Sequence, residues 1–364
     1  VDDMFMDDTV DFLEEMPANV VKKVLQNADE GTRKTINQFL NYPENSAGSL
    51  MTIEYVDLHD YFTVRKAMDY IRRTGIDKET VYTCYVIDDQ RKLVGQVSLR
   101  KLIIAPESAC IRDIMDTNIV SAVTTDDQEA VADDFRRYDL TSVAVCDKEN
   151  RLVGIITIDD IVDVIQDENT EDIKKMAAII PSDEDYMKTS VWSLVAHRLP
   201  WLMLLMISAT FTSTIITHFE TLLSGAVLLT AFIPMLMDSA GNSGSQTSVT
   251  VIRNLALGEI ELRDWPRVLI KEIGVAVVSG AALALVNFLR IIIFTNTSMM
   301  IAAVVSVTLF CTVIIAMIVG CLLPIGAKKL GFDPAVMASP MITTIVDACS
   351  LMIYFLIAST MLGL

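Results

Sequence analysis

The chain is short of the residues that bind transition metals or staple a fold. It has three histidines, no HExxH and no Cys/His cluster, which excludes a zinc-protease centre and disfavours any transition-metal site. No catalytic constellation is expected, and the chain reads as a non-enzyme. Its six cysteines (Cys84, Cys110, Cys146, Cys311, Cys321 and Cys349) make no CxxC and no close pair. They read as reduced, small hydrophobes and not as a disulfide framework. Positive charge is also scarce: 29 basic residues face 47 acidic ones, a net charge of −18. From His197 onward acids and bases balance at eight each, so the whole deficit lies in the first 196 residues. Such an acidic half disfavours nucleic acid and anionic lipid as partners and favours cations. A merely solvated acidic surface is the alternative.

What the chain has instead is long apolar segments. Five are candidate membrane spans: Leu199–Thr217, Leu222–Thr250, Ile273–Ile293, Met300–Leu323 and Ala335–Leu362. Arg198, then Arg253, Arg263, Arg267 and Lys271, then Lys328 and Lys329 flank alternate ends, while 218–221 and 295–298 carry no Lys or Arg. The positive-inside rule then places the N-terminal half in the cytoplasm and the C-terminus outside. Asp347 is the only charge in the last span. A carboxylate at that depth costs about 2.5 kcal/mol or more and persists where it meets a partner or a wet path. With no base in its own segment, the expected partner is a cation; a hydrogen bond to a neighbouring helix is the alternative. The second span carries Pro234, Asp238, Gly241, Asn242, Gly244, Ser245 and Gln246 within thirteen residues. A stretch so polar faces protein or a water-filled pore, not lipid. Its glycines could equally serve close helix packing.

The acidic half has three parts. Asp8–Leu40 has apolar residues at threes and fours, punctuated by Pro17 and Gly31, and reads as the tail of a longer helical module. Residues 46–167 hold an internal repeat: Met51-Thr52 opens one copy and Met115-Asp116 the next, and Arg91–Ser98 matches Asn150–Thr157. The offset falls from 64 to 59, so the first copy carries about five extra residues near Gly75–Thr80. Each copy predicts strand, helix, strand, turn, strand, helix, with strands at Val81–Ile87, Val94–Ser98, Ser142–Cys146 and Val153–Thr157. Ile161–Tyr186 is helix-compatible and acidic; Asp160, Asp163, Asp167 and Glu171 share one helical face. Such a face is either solvated or holds hard divalent cations that relieve its self-repulsion.

Leu152 to Asp160, a strand ending Leu-Val-Gly-x-x-Thr-x-x-Asp, resembles the hallmark of a tandem CBS pair. That resemblance implies an adenine-nucleotide site, such as for ATP, at Thr157 and Asp160. The first copy has Ser98 and Lys101 in their place, so one site at most is expected, and a pair that binds no nucleotide is the alternative. Ile233 to Gln246, then Ile252-Arg253, Leu262–Trp265, Asp333-Pro334-Ala335, Pro340, Thr344 and Asp347, resemble the MgtE family of magnesium channels. The resemblance covers essentially the whole chain. It implies a multi-domain membrane protein: an α-helical N-terminal remnant (1–45), an α/β tandem CBS pair (46–107 and 108–162), an acidic connecting plug helix and linker (163–196), and an all-α transmembrane domain of five spans (197–364). It further implies a homodimer in the cell membrane, with a Mg²⁺ pore lined by the second and fifth spans. Asp347 would hold hydrated Mg²⁺, with Pro234, Asp238, Gly241, Asn242, Gln246, Ser339, Thr343 and Thr344 lining the path. Asp160, Asp163, Asp167, Glu168, Glu171 and Asp172 would sense regulatory Mg²⁺.

Four positions depart from the family pattern. Ala240 and Ser245 replace a Gly and an Asn, Ser339 stands where some members have Asn, and Asp238 adds an intramembrane acid. Mn²⁺ or Co²⁺ therefore stay open as the transported ion. A membrane-anchored magnesium or nucleotide sensor is the rival of another class.

Overall fold

The structure is a computed structural model that describes residues 5–14, 16–182, 186–219, 227–295, 297–337 and 339–363. The chain divides into two compact units, Val1–Glu168 and Asn169–Leu364.

The first unit opens with three short helices, α1 (Met6–Glu14), α2 (Ala18–Asn27) and α3 (Glu30–Phe39). Pro17 separates the first two, as expected. Gly31 separates nothing, because it lies inside the first turn of α3. The second break falls at Asp29, whose carboxylate accepts the Gly31 and Thr32 N–H groups at 2.8 and 3.1 Å. Satisfying first-turn donors makes Asp a helix start, which here outweighs the weak breaking tendency of one glycine.

A short turn of helix, α4 (Ala47–Leu50), leads into the repeat. The first copy is β1 (Asp57–His59), α5 (Val64–Thr74), β2 (Thr83–Ile87), β3 (Leu93–Ser98) and α6 (Leu99–Ile104). After α7 (Ile111–Ile114) the second copy follows with β4 (Ser121–Val123), α8 (Gln128–Tyr138), β5 (Ser142–Cys146), β6 (Leu152–Thr157) and α9 (Ile158–Met176). Each sheet has its first strand parallel and its third antiparallel to the middle one. Even the register irregularity recurs, at Val86/Ile87 and Val145/Cys146. Eight residues separate α5 from β2 but only three separate α8 from β5, so the extra five residues sit in that link.

The copies are stitched by exchange. Thr52, at the head of the first copy, bridges Ile155 of the second, and Asp116 at the head of the second bridges Gln96 of the first. The Gly of each Leu-Val-Gly permits this: a Cβ on Gly154 would fall 2.7 Å from Met51 Sδ, and one on Gly95 would fall 2.9 Å from Met115 Cγ. Between the sheets Tyr85 and Ser142 hydroxyls meet at 2.8 Å, within a core of Tyr85, Ile87, Ala144, Cys146 and Ile155. Burial pushes the Cys84 and Cys146 thiols up to about 12 and about 11, which suits their reading as inert apolar groups.

The connecting helix differs from expectation. α9 starts directly after β6, at Ile158, and stops at Met176 instead of reaching Tyr186. Ala178 takes a left-handed φ of 56° and Pro181 follows, both of which oppose continuation.

The second unit takes up the last turns of α9 and then α10 (Val191–His218), α11 (Ile233–Ala256), α12 (Trp265–Phe294), α13 (Met299–Lys329) and α14 (Ser339–Leu362). Among the described residues four segments are long and apolar enough to cross a membrane: Val191–His218, Leu262–Phe294, Met299–Lys329 and Pro334–Leu362. The expected span Leu222–Thr250 lies partly outside the described residues. Its remainder is α11, 24 residues long, whose polar side chains keep it out of that set. The core of the unit gathers Leu229, Phe232, Leu236, Leu309, Tyr354 and Phe355, with Tyr354 OH donating to the Leu229 carbonyl at 2.9 Å.

Candidate functional site

α11 segregates its residues by size and polarity. Pro234 lies in its first turn, where a missing N–H leaves nothing unpaired. Ala240, Gly241, Gly244, Thr247 and Ser248 are buried, while Asp238, Asn242 and Gln246 are exposed. The exposed three recur every four residues and so form one stripe. The buried side packs on α13 and α14. A methyl at Gly241 would fall 3.1 Å from Thr343 Cγ2, and one at Gly244 would fall 2.9 Å from Ile342 Cγ2 and 3.1 Å from the Ala316 carbonyl. One at Gly320 would overlap the Gly244 backbone itself. The glycines therefore serve backbone-to-backbone helix contact, and the polar stripe is left on the opposite side. Thr247 also donates to Glu272 of α12 at 3.1 Å, an acid the sequence reading left unassigned.

Asp347 lies mid-way along α14, half-buried, and is the one charge in that helix. Thr343 and Thr344 stand one turn earlier; both hydroxyls donate to the Pro340 carbonyl, at 2.9 and 3.0 Å. The Ser339 side chain lies outside the described residues. Among the described residues no three His, Cys, Asp or Glu side chains lie close enough to hold a metal.

In the first unit the Thr157 hydroxyl donates to Asp160 Oδ2 at 2.8 Å, across the β6–α9 junction. Two acids the sequence reading missed stand near it. Asp7 of α1 is buried, and that burial pushes its carboxyl up to about 7, with the charges of Asp160, Glu79 and Asp8 adding to the rise. Glu79, on the five-residue insertion, is raised by burial and then by Asp159, Asp160, Asp8 and Glu54. Its Oε2 is buried without a hydrogen-bond partner. Burial also raises Asp160, against the Thr157 bond. No sequence pattern links these residues, because they come from three distant segments.

The other acids of α9 diverge. Asp163 and Asp167 are exposed, Glu168 accepts from Gln128 Nε2 at 2.8 Å, Glu171 pairs with Lys175 at 2.8 Å, and Asp172 is half-buried. Beside the first copy a cavity of about 600 Å³ is lined by Tyr82, Thr83, Ser98, Arg100, Ile103 and Thr141.

Family models bear on these features. One described as a divalent cation transporter matches residues 233–357, a CBS-domain model matches 47–108 and 111–167, and an MgtE intracellular N-domain model matches 1–45. A magnesium transporter MgtE of Thermus thermophilus is 37% identical over 92% of this chain and 74% of its own length. That of Enterococcus faecalis is 35% identical over 89% and 71%. Among solved structures, the cytosolic domain of the Mg²⁺ channel MgtE in complex with ATP is 38% identical, covering 45% of this chain and 67% of its own, with a TM-score of 0.43.

Proposed function

The chain belongs to the MgtE family of magnesium transporters, multi-pass membrane proteins, and we propose from that premise that it imports Mg²⁺ through a pore formed by two copies of its membrane unit. α11 counts as the polar second of five spans in this reading, with the N-terminal unit cytoplasmic and the C-terminus outside. The domain division is 1–45, 46–107, 108–162, 163–196 and 197–364. The observation that carries the pore is the Asp238–Asn242–Gln246 stripe on a helix seated against the one bearing Asp347. Mg²⁺ dehydrates reluctantly, so a site of few carboxylates, widened by hydroxyls and carbonyls, suits the hydrated ion. One copy supplies too few acids for a closed cage; a two-fold axis would double them. Pro234, Gly241, Ser339, Thr343 and Thr344 complete the lining.

Gating falls to α9. Asp160, Asp163, Asp167, Glu168, Glu171 and Asp172 repel one another until cytoplasmic Mg²⁺ bridges them to neighbouring acids, and α9 then closes the pore as a plug. Asp7 and Glu79 join that set through their charge coupling to Asp160. An adenine nucleotide at Thr157 and Asp160 would enter with its own Mg²⁺, because the surrounding acids oppose bare phosphates. The cavity at Arg100 is a second reading for the nucleotide, favoured by its volume and by one guanidinium among the apolar side chains that line it.

Ion flux into proteoliposomes tests the whole reading. Wild-type protein is expected to carry Mg²⁺ in preference to Ca²⁺ and Na⁺, and Asp347→Ala to lose most of that flux while remaining folded. Full flux in Asp347→Ala would remove Asp347 from the pore. Preference for Mn²⁺ or Co²⁺ would reassign the ion, and no flux of any ion would favour a membrane-anchored sensor.

A further inference from the structure

The last turns of α9 grip the ends of both helices that carry the proposed pore residues. Lys175 Nζ lies 2.8 Å from Glu171 Oε1, one turn back on α9, and 2.7 Å from Asp333 Oδ2, just ahead of α14. Asn169 Oδ1 accepts from Arg253 Nη1, in the last turn of α11, at 2.9 Å. Met176 packs between Ile252 of α11 and Ala335. A third cation, Lys328, donates to the Leu255 carbonyl at the end of α11 at 3.1 Å. All of these residues belong to the second unit.

Two carboxylates that share one ammonium would otherwise repel each other. The pairing is also partly sheltered: 24% of the Lys175 side chain is exposed, against 39% for Glu171 and 35% for Asp333. Shelter and two partners distinguish it from an exposed ion pair, which contributes little.

We infer that Lys175 is a positioning residue: it holds the end of α9 against α11 and α14 with the chain's own cation, so that this contact resists opening whether or not Mg²⁺ is present. Needing no external ion distinguishes this contact from Mg²⁺ sensing by the acids of α9, although Glu171 takes part in both. The effect on conduction rests on the reading of α9 as the plug. Lys175 then sets the resting bias toward the closed state, and Mg²⁺ sensing adds to that bias.

The test uses the full chain in proteoliposomes, as wild type, Lys175→Ala, Lys175→Arg, and the swap Lys175→Asp with Asp333→Lys. At millimolar Mg²⁺, Lys175→Ala is expected to raise Mg²⁺ flux roughly tenfold, a usual size for coupling between a switch and a site. Lys175→Arg should stay near wild type, and the swap should return most of the restraint. Cleavage at Glu171 by a glutamate-specific protease gives a second readout: it should quicken in Lys175→Ala, with and without a chelator, and slow again in the swap. Unchanged cleavage in Lys175→Ala, or quickening only when Mg²⁺ is removed, overturns the inference. If wild type carries no Mg²⁺, the channel reading fails and the cleavage rates alone decide the role of Lys175. If wild type conducts and Lys175→Ala matches it in flux, the channel stands and the bias toward closure is refuted.

Discussion

Asp7→Asn gives a sharp measure of the acidic cluster in the first unit. The Asp7 carboxyl rises from 3.8 to about 7, mainly through burial and then through Asp160, Glu79 and Asp8. A carboxylate raised in the folded state contributes stability that is complete below its unfolded value and lost as pH rises through the folded one. The window therefore opens near pH 4 and closes above pH 7. A shift of about three pH units at about 1.36 kcal/mol each corresponds to roughly 4 kcal/mol, an upper bound because water entering around α1 would shield the charge. Asparagine keeps the shape and cannot ionise. In the absence of divalent ions, Asp7→Asn should therefore protect the α1 amides far more than wild type at pH 8 and only several-fold more at pH 4.5, where most of the ionisation penalty is gone. Hydrogen exchange on the full chain, compared between the two proteins at each pH, cancels the intrinsic pH dependence. An upper-bound effect of that size is a factor of several hundred to a thousand in the opening equilibrium. Millimolar Mg²⁺ should narrow the gap at pH 8 by neutralising the same acids. Equal protection at pH 8, or a gap that persists unchanged at pH 4.5, would refute the account of Asp7 as a buried, charge-stressed carboxylate.

Gly320→Ala should destabilise the membrane unit by at least about 1–3 kcal/mol, because the added methyl meets the Gly244 backbone and not a movable side chain; a lower melting temperature in detergent checks it, and wild-type melting would show that the helices can part freely. Calorimetry with ATP separates the two nucleotide readings. Asp160→Ala should weaken binding if the nucleotide sits at Thr157 and Asp160, with its ribose on Asp160; Arg100→Ala should weaken it if the phosphates enter the cavity, and no binding by wild type rejects both. Neutralising Asp163, Glu168 and Glu171 together should leave the channel open at high Mg²⁺, since bridging ions also cross-link the acids; closure at high Mg²⁺ as in wild type would show that those three do not sense the ion.

Much of the protein is legible in its residues, because local pattern is a local property. The copies Arg91–Ser98 and Asn150–Thr157 announce two equivalent strand pairs, and β2, β3, β5 and β6 lie within two residues of their expected bounds. The shift in offset locates the five-residue insertion. Segment length and apolarity pick out four of the spans, and the lone charge of Asp347 and the polarity of α11 single those helices out. Only the tertiary structure decides which distant groups meet. Met51 and Thr52 lie on the second copy and not their own, because the glycine on the far strand admits a backbone there and nothing in either local sequence names its partner. Gly244 faces Gly320, so the polar face of α11 is turned the other way; periodicity alone says that the faces differ, not which is covered. Asp7, Glu79 and Asp160 are brought near one another, as are Lys175 and Asp333, over separations of about seventy residues or more. Charge interactions depend on distance and burial in space, and the one-dimensional sequence carries neither.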